Sequence, residues 1–348
     1  MKVKKGLLVL LVALLALLLL IPSCSKNEGN SSGAATSSSS SASSVKPRTV
    51  VAGHTGNDRT TYQVGMEKFK EEVEKNTNGR YVVEIYPQTL GGDQELMQSL
   101  QIGTADFGEV NTTVLASIVP ELGVFDLPFI FETREQAYAV FDGEIGDYYR
   151  NLLQEASGLV PVAYWENGFR CFTNDVRPIS KPEDMLALKM RSMQSNIHLE
   201  AFRLWGADPT PMSLSESITA MQQGVIDGQD NNIDTITANS MWEYQDYFAE
   251  SWHFYGNKML LFSQQFWSSL SDEDKEIFTN AALAARDAER AECMARYDKQ
   301  LQTLADNGMQ ITYHDEIDVD AFKARVEPIY DEYIAQYGDE YVNAIRNM

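Results

Sequence analysis

Basic residues are few in this chain. Its 348 residues include 28 Lys and Arg but 50 Asp and Glu, so the formal net charge is −22. If the segment before Cys24 with its three lysines is removed, the remainder carries 25 − 50 = −25. Nucleic-acid binding needs a basic face, and electrostatic adhesion to an anionic membrane needs a basic patch. The composition therefore argues against both kinds of partner, although a single local arginine can still bind a small anion.

Histidine and cysteine are also rare. The four histidines are too far apart in the sequence to form a zinc-binding motif: His54, His198, His253 and His314. Apart from Cys24 there are two cysteines, Cys171 and Cys293, and the sequence leaves open whether they form a disulfide or stay as two buried thiols. We expect no metal ion and no cofactor.

No catalytic motif is present after residue 46. That part of the chain has no G-x-S-x-G nucleophile turn, no G-x-G-x-x-G fingerprint and no phosphate-binding P-loop. Asp315, Asp318 and Asp320 resemble a calcium loop, but the central Gly and the final Glu of such a loop are missing, so they indicate the acidic start of a helix. A catalytic function therefore has almost no positive support in the sequence.

The first 24 residues have the pattern of an export signal. Three lysines precede an apolar run of 15 residues, Leu7 to Ile21, whereas a membrane span needs about 20. Ile21-Pro22-Ser23-Cys24 then resembles a bacterial lipobox, in which the cysteine is acylated and becomes the new N-terminus. We expect a signal peptide over residues 1–23 and a lipid anchor on Cys24, which would hold the protein at a membrane outside the cytoplasm. An uncleaved anchor helix is the alternative.

Residues 24–46 are predicted to form a flexible tether. Ten of the 20 residues from Ser25 to Ser44 are serine, and the others are mostly Gly, Ala and Asn. Such a segment cannot bury enough apolar surface to fold. Its r.m.s. span would be roughly 25 Å. We therefore expect the folded part to begin near Pro47.

The rest of the chain alternates strand and helix signals, which predicts an α/β fold with crossover helices. Strand patterns occur in both halves, first at Thr49–Ala52 and Tyr81–Tyr86 and then at Leu159–Tyr164, Phe169–Thr173 and Leu188–Arg191. Near the C-terminus the pattern changes. Ser271–Asp274 is a helix cap, and no Pro or Gly interrupts the following segment from Lys275 to about Asn307. A helix of that length, about 50 Å, is too long for one small domain and is expected to brace two lobes.

Two arginines are candidates for binding an organic acid. Arg170 and Arg191 each lie in a predicted strand, where a side chain at the strand end can point into a cleft. A guanidinium matches a carboxylate with two parallel hydrogen bonds. A surface ion pair is the alternative interpretation of each residue.

Nine short motifs occur in order between about Pro47 and Tyr333, and together they resemble the extracytoplasmic solute receptors of tripartite ATP-independent periplasmic (TRAP) transporters, the DctP family. They are Phe69-Lys70-Glu71-Glu72-Val73 with Gly79-Arg80, Tyr86-Pro87 with Leu90-Gly91, Gly103-Thr104-Ala105-Asp106-Phe107, Phe125-Asp126-Leu127-Pro128-Phe129, Asn167-Gly168-Phe169-Arg170, Lys189-Met190-Arg191, Pro209-Thr210-Pro211-Met212, Asp227-Gly228-Gln229-Asp230-Asn231, and Phe266-Trp267 with Leu270-Ser271. The resemblance implies a two-lobed, periplasmic-binding-protein-like (Venus flytrap) α/β fold with a long helix spanning both lobes. Lobe I would comprise residues 47–168 plus about 257–296, and lobe II residues 169–256 plus about 297–348.

The resemblance also implies the ligand-binding residues. Arg191 matches the arginine of the K-x-R strand that grips the ligand carboxylate in the family. Arg170 matches the arginine of the N-G-x-R segment, and Asn231 matches the asparagine of the D-G-x-x-N loop. Asn232 stands where the family usually has Pro, which is expected to reshape that loop. Weaker candidates are residues in segments that vary with the substrate, each alternatively a cap, a turn residue or a residue behind the site: His54, Asp93, Asn111 and Glu166.

The predicted function is that of a monomeric, lipid-anchored receptor that captures a small organic acid and delivers it to the membrane subunits of a TRAP permease. A receptor for an ABC importer has a similar two-lobed plan, but the long helix and the Arg191 motif favour the TRAP type. A chemosensory adaptor would need the same cleft. A lipoprotein hydrolase is the other alternative, and the missing nucleophile motif disfavours it.

Overall fold

The computed structural model describes residues 46–348. The predicted signal peptide, Cys24 and almost all of the predicted tether therefore lie outside the described residues. In the described part, no helix combines the length and the apolar character needed to cross a membrane.

The described residues form ten strands and twelve α-helices. The strands are β1 Arg48–His54, β2 Tyr81–Pro87, β3 Phe107–Asn111, β4 Val160–Asn174, β5 Lys189–Ser192, β6 Asp208–Pro211, β7 Gly228–Asn232, β8 Tyr247–Ala249, β9 Tyr255–Phe262 and β10 Gln310–Thr312. The helices are α1 Thr61–Asn76, α2 Asp93–Gln101, α3 Thr112–Leu115, α4 Arg134–Phe141, α5 Glu144–Ser157, α6 Asn196–Trp205, α7 Leu214–Gln222, α8 Ile233–Ala238, α9 Gln264–Ser268, α10 Asp272–Asp306, α11 Val319–Tyr337 and α12 Glu340–Arg346. The predicted mixed α/β architecture is confirmed.

The strands build two sheets that share β4. The first sheet has the order β2-β1-β3-β9-β4, in which β1 is parallel to both β2 and β3, and β9 is antiparallel to its two neighbours. The second sheet has the order β4-β7-β5-β6, and β8 with β10 lies on the other edge of β4. Because parallel strands need crossover connections, α1 lies between the parallel strands β1 and β2, and α6 lies between the parallel strands β5 and β6.

Strand β4 crosses from one sheet to the other. It pairs with β9 as far as Phe169 and with β7 from Arg170 onward. The sequence predicted two separate strands here, Leu159–Tyr164 and Phe169–Thr173. That prediction is wrong, because the polar residues between them continue the same strand. The register shifts between Glu166 and Gly168, and Gly168 has φ +82°, so an irregularity at a glycine carries the chain through.

The long helix α10 has 35 residues, two more than predicted. It begins where the Oγ of Ser271 accepts a hydrogen bond from the amide of Asp274 at 3.1 Å. The helix packs against α1 and β4 and also against α8 and β10. It therefore contacts strands or helices associated with each of the two sheets. Similarly, the carboxylate of Asp318 accepts from the amide of Ala321 at the start of α11, as the acidic pattern there predicted.

Many core residues are aromatic, and they pack between the helices and the strands of the sheets. Phe69 of α1 stacks on Phe107 of β3, with ring centroids 4.0 Å apart, and Trp165 of β4 is buried in the same cluster. Cys171 and Cys293 form no disulfide, as in the second of the two arrangements that the sequence left open, but only Cys171 is buried and Cys293 is half-buried.

Candidate functional site

A cleft of about 90 Å³ lies between the two sheets. Its walls come from the ends of strands and from helix starts, where side chains leave the regular pairing and point away from the core. Five of the seven residues nominated from the sequence line it: Asp93, Asn111, Arg170, Arg191 and Asn231. Residues far apart in the sequence therefore converge on one small, polar space.

Arg191 is the cation in this cleft that has no carboxylate partner among the described residues. It lies near the end of β5 and is only 5% exposed. Its Nε donates to the carbonyl oxygen of Met212 at 3.0 Å, and its two terminal nitrogens have no hydrogen-bond partner in the described part of the chain. Burial, together with the positive charge of Arg170, lowers the pKa of Arg191 to about 10. A buried guanidinium with free N–H groups is a strong binding position for an anion.

Arg170, in contrast, is already paired. Its Nη2 donates to the carbonyl oxygen of Asp230 at 2.6 Å and to a carboxylate oxygen of the same residue at 3.0 Å, and its Nε donates to the other carboxylate oxygen. His253 lies 3.3 Å from this carboxylate. Although burial alone would raise the pKa of Asp230, Arg170 and His253 hold it well below its usual value. Arg170 thus presents a largely neutralised charge to the cleft.

The two asparagines after Asp230 have different roles. Asn231 lines the cleft, and its side chain accepts from the amide of Asn232 at 3.1 Å. Asn232, which stands where the family usually has Pro, accepts from the amide of Thr235 at 2.6 Å and so caps α8. The side-chain nitrogen of Asn232, Nδ2, also donates to the hydroxyl oxygen of Tyr62 at 3.3 Å and to the side-chain oxygen of Asn167. The substitution therefore creates a hydrogen-bonded corner beside the cleft.

Asp93 and Asn111 form the part of the wall that lies against the first sheet. Asp93 is the first residue of α2, and its Oδ1 accepts from the backbone amide of Asn111 at 2.7 Å. The side-chain oxygen of Asn111 accepts from the amide of Thr113 at 3.1 Å, which caps α3 and orients the amide group. These contacts fix both side chains at the cleft.

Next to them lies a buried ion pair that the sequence analysis did not identify. The Nζ of Lys258 is 2.6 Å from a carboxylate oxygen of Glu109 and 3.5 Å from Asp93. It also donates to the hydroxyl of Thr55 at 2.6 Å. Burial raises the pKa of Glu109 to about 7, against the opposing effect of Lys258. A lone lysine in the apolar strand Tyr255–Phe262 was the available signal, since a cation buried in a strand needs a partner or a function.

The other two nominated residues lie behind the cleft wall. The Nε2 of His54 lies 2.8 Å from the side-chain oxygen of Gln63, and burial lowers its pKa to about 4. Glu166 accepts from Arg134 at 2.6 Å and from the hydroxyl of Tyr138. Neither residue lines the cleft, although their neighbours Thr55 and Asn167 do. In the described residues, no group of three or more His, Cys, Asp or Glu side chains could hold a metal ion.

Comparison with known proteins distinguishes the functional alternatives. The sequence profile of the DctP family, the bacterial extracellular solute-binding proteins of family 7, matches residues 52–336. The chain belongs to this family. It is therefore a solute-binding protein that functions outside the cytoplasm, and the expectation that it is not an enzyme is confirmed by its family.

Solved structures of similar proteins agree with this assignment. A TRAP periplasmic solute-binding protein from a Polaromonas species, bound to D-erythronate, is 35% identical with a TM-score of 0.83, and the match covers 86% of this chain and 98% of that chain. The sugar acid binding protein DctPAm from Advenella mimigardefordensis, in complex with galactonate, is 32% identical with a TM-score of 0.83 and coverages of 87% and 98%. A TRAP periplasmic solute-binding protein from Sulfurospirillum deleyianum, with bound succinate, is 28% identical with a TM-score of 0.81 and coverages of 86% and 98%. The DctP-family chain thus has the predicted two-lobed, periplasmic-binding-protein-like fold.

Proposed function

We propose that this chain is the receptor of a TRAP transporter, which captures a small organic acid between its lobes and delivers it to the membrane permease. The observation that carries the proposal is the buried guanidinium of Arg191, which lines the cleft and whose terminal nitrogens have no hydrogen-bond partner and no carboxylate partner among the described residues. The three solved relatives described above bind different acids, and each of those acids carries a carboxylate.

Closure of the lobes is the expected mechanism. A ligand shifts an open–closed equilibrium only by the difference in its affinity for the two states. The ion pair between Arg191 and a carboxylate is stronger when the closed cleft removes it from water. The ligand carboxylate therefore stabilises the closed state, which is the form that the permease would recognise.

We also propose the lobe boundaries expected from the sequence, with residues 47–168 and about 257–296 in lobe I and the remaining folded residues in lobe II. The exchange of partners along β4 supports this division, because β4 leaves β9 after Phe169 and joins β7 at Arg170. The irregularity at Gly168 lies at the same point, where a hinge would need conformational freedom.

Calorimetric titration of the purified protein with a panel of small organic acids tests the function. At least one acid should bind, and Arg191→Ala should weaken that binding by about 30-fold or more, since removing one partner of a buried charge pair costs about 2 kcal/mol or more. Arg203→Ala is the matched control, because Arg203 is exposed on α6 and its ion-pair partner within residues 46–348 is Glu200, 3.5 Å away. Equal affinity of the Arg191→Ala variant and the wild type would contradict the proposal.

We further propose that Cys24 carries a lipid anchor that holds the receptor at a membrane. The support is the apolar run of residues 7–21 followed by Ile21-Pro22-Ser23-Cys24. In a bacterial host with a lipoprotein pathway, a clickable fatty acid should label the wild type and the Cys293→Ser variant but not Cys24→Ser. A wild-type protein that is exported without label would contradict this proposal.

A further inference from the structure

The part of the cleft opposite Arg191 has a chemistry that distinguishes between classes of organic acid. We call it the first-sheet wall, and it consists of Thr55, Asp93, Asn111 and Lys258, which extend from the first sheet or lie against it. A dicarboxylate would be favoured by a second free cation in the cleft. A hydroxylated monocarboxylate would instead need groups that donate to and accept from neutral hydroxyls.

Lys258 has no N–H group to spare for a second carboxylate. An ammonium group has three donors. Its three acceptors here are the hydroxyl of Thr55 at 2.6 Å, the carboxylate of Glu109 at 2.6 Å and Asp93 at 3.5 Å. The side chain is also buried, so it cannot turn freely to a new partner. Its positive charge is neutralised in place.

The charges around the cleft point the same way. Three cations line it, and two of them are paired, Arg170 with Asp230 and Lys258 with Glu109. The Oδ2 of Asp93, which accepts no hydrogen bond from the described residues, places negative charge at the surface of the first-sheet wall. A second ligand carboxylate placed there would meet a like charge at short range in a largely desolvated site, which is unfavourable.

Two polar atoms of the first-sheet wall have no partner among the described residues. The Oδ1 of Asp93 accepts from Asn111 and contacts Lys258, which leaves its Oδ2 as an acceptor without a donor. The side-chain oxygen of Asn111 accepts from Thr113, which leaves its Nδ2 as a donor without an acceptor. A hydroxyl group both donates and accepts, so one hydroxyl or a vicinal pair matches these two atoms.

We propose that the ligand is a hydroxylated monocarboxylate, such as a sugar acid, and that Asp93 and Asn111 are the residues that select it over a dicarboxylate. This inference rests on the proposed function, because it assigns the single ligand carboxylate to Arg191. A ligand hydroxyl then donates to Asp93 and accepts from Asn111, while Lys258 and Glu109 hold this wall in position.

The test uses pairs of acids of equal length. Calorimetry with the purified wild-type protein compares D-erythronate with succinate and D-galactonate with galactarate. In at least one pair the hydroxylated monocarboxylate should bind tenfold or more tightly than its dicarboxylate. Equal or tighter binding of the dicarboxylate in both pairs, abolished by Arg191→Ala, would overturn this inference and leave the proposed function intact. Absence of binding by all four acids would also overturn it, and the proposed function fails as well only if the wider acid panel is negative.

Asp93→Asn tests the assigned residue. This variant keeps the size of the side chain and removes the charge. It should lose tenfold or more of the affinity for the monocarboxylate but not for the dicarboxylate, so the ratio between them narrows. An equal loss for both acids would show a merely structural role and overturn the assignment. Glu144→Gln is the matched control, because Glu144 is likewise the first residue of a helix, α5, but is exposed and does not line the cleft.

Discussion

A carboxylate buried in the middle of the long helix should make the stability of this protein depend on pH. Glu289 of α10 is fully buried. One of its oxygens lies 3.0 Å from the hydroxyl of Thr61 and 2.9 Å from the thiol of Cys293, and the other accepts from the backbone amide of Glu166 at 3.1 Å. No cation pairs with it among the described residues. Burial, with the nearby charge of Glu166, raises the pKa of Glu289 to about 8.

The neighbouring groups can accommodate the neutral form. The single proton of the Thr61 hydroxyl lies between two carboxylates, because Asp234 is 3.3 Å away on the other side. Thr61 can donate to only one of them at a time. When Glu289 is protonated, it can donate to Thr61, which then donates to Asp234, so the neutral acid completes a chain of hydrogen bonds.

The sign and size of the effect follow from the pKa. A folded-state pKa of about 8, above the ordinary glutamate value of 4.5, means that the folded state holds the proton of Glu289 more tightly than the unfolded state does. The contribution of Glu289 to the free energy of unfolding is therefore fully present below pH 4.5 and is lost as the pH rises towards 8. At 1.36 kcal/mol per pH unit, the loss from this group is about 5 kcal/mol at most. The Glu289→Gln variant cannot ionise here and should lack this contribution.

Denaturant unfolding at several pH values between 5 and 8 measures the effect. The free energy of unfolding of the wild type should fall relative to that of Glu289→Gln as the pH rises, by several kcal/mol across this range. Glu276→Gln is the control, because Glu276 is exposed on the same helix and the variant should follow the wild type. Parallel curves for the wild type and Glu289→Gln would refute the reasoning.

Two further substitutions test the structural roles assigned beside the cleft. Arg170→Ala leaves the fully buried Asp230 without its main partner, so it should lower the free energy of unfolding by about 3–5 kcal/mol, and an effect below 1 kcal/mol would contradict the buried pair. Arg191→Ala, measured in parallel, should change the free energy of unfolding much less, because no carboxylate among the described residues is left unpaired when Arg191 is removed. Asn232→Ala removes the cap of α8 and should cost about 1 kcal/mol in the same assay, whereas a neutral result would show that the cap does not stabilise the helix.

Helices were the most predictable part of the fold because their ends carry local signals. The end of α6 coincides with Gly206, a typical helix-ending residue, whose φ of +102° lies in the left-handed region. The cap at Ser271 and the lack of Pro or Gly predicted α10 almost to its observed length. The strand β4 was harder, since its continuity depends on pairing with β9 and β7, which lie far away in the sequence.

The candidate site divides in the same way. Asp93, Asn111, Arg170, Arg191 and Asn231 were nominated by motifs and do line the cleft. The sequence could not show which of these charged side chains are paired with each other. Arg170 lies next to Asp230 only because of the register of β4 with β7. The partnership of Lys258 with Glu109 likewise depends on the register of β3 with β9. Long-range pairing therefore decides which of the two arginines is free for a ligand.

The central claim is that Arg191 holds the carboxylate of the ligand. The most direct measurement is a crystal structure of the protein with the tightest-binding acid from the calorimetric panel. The account predicts a closed cleft in which the ligand carboxylate accepts hydrogen bonds from the two terminal nitrogens of Arg191. A bound acid whose carboxylate lies at the first-sheet wall, with Arg191 contacting only water or protein, would contradict it.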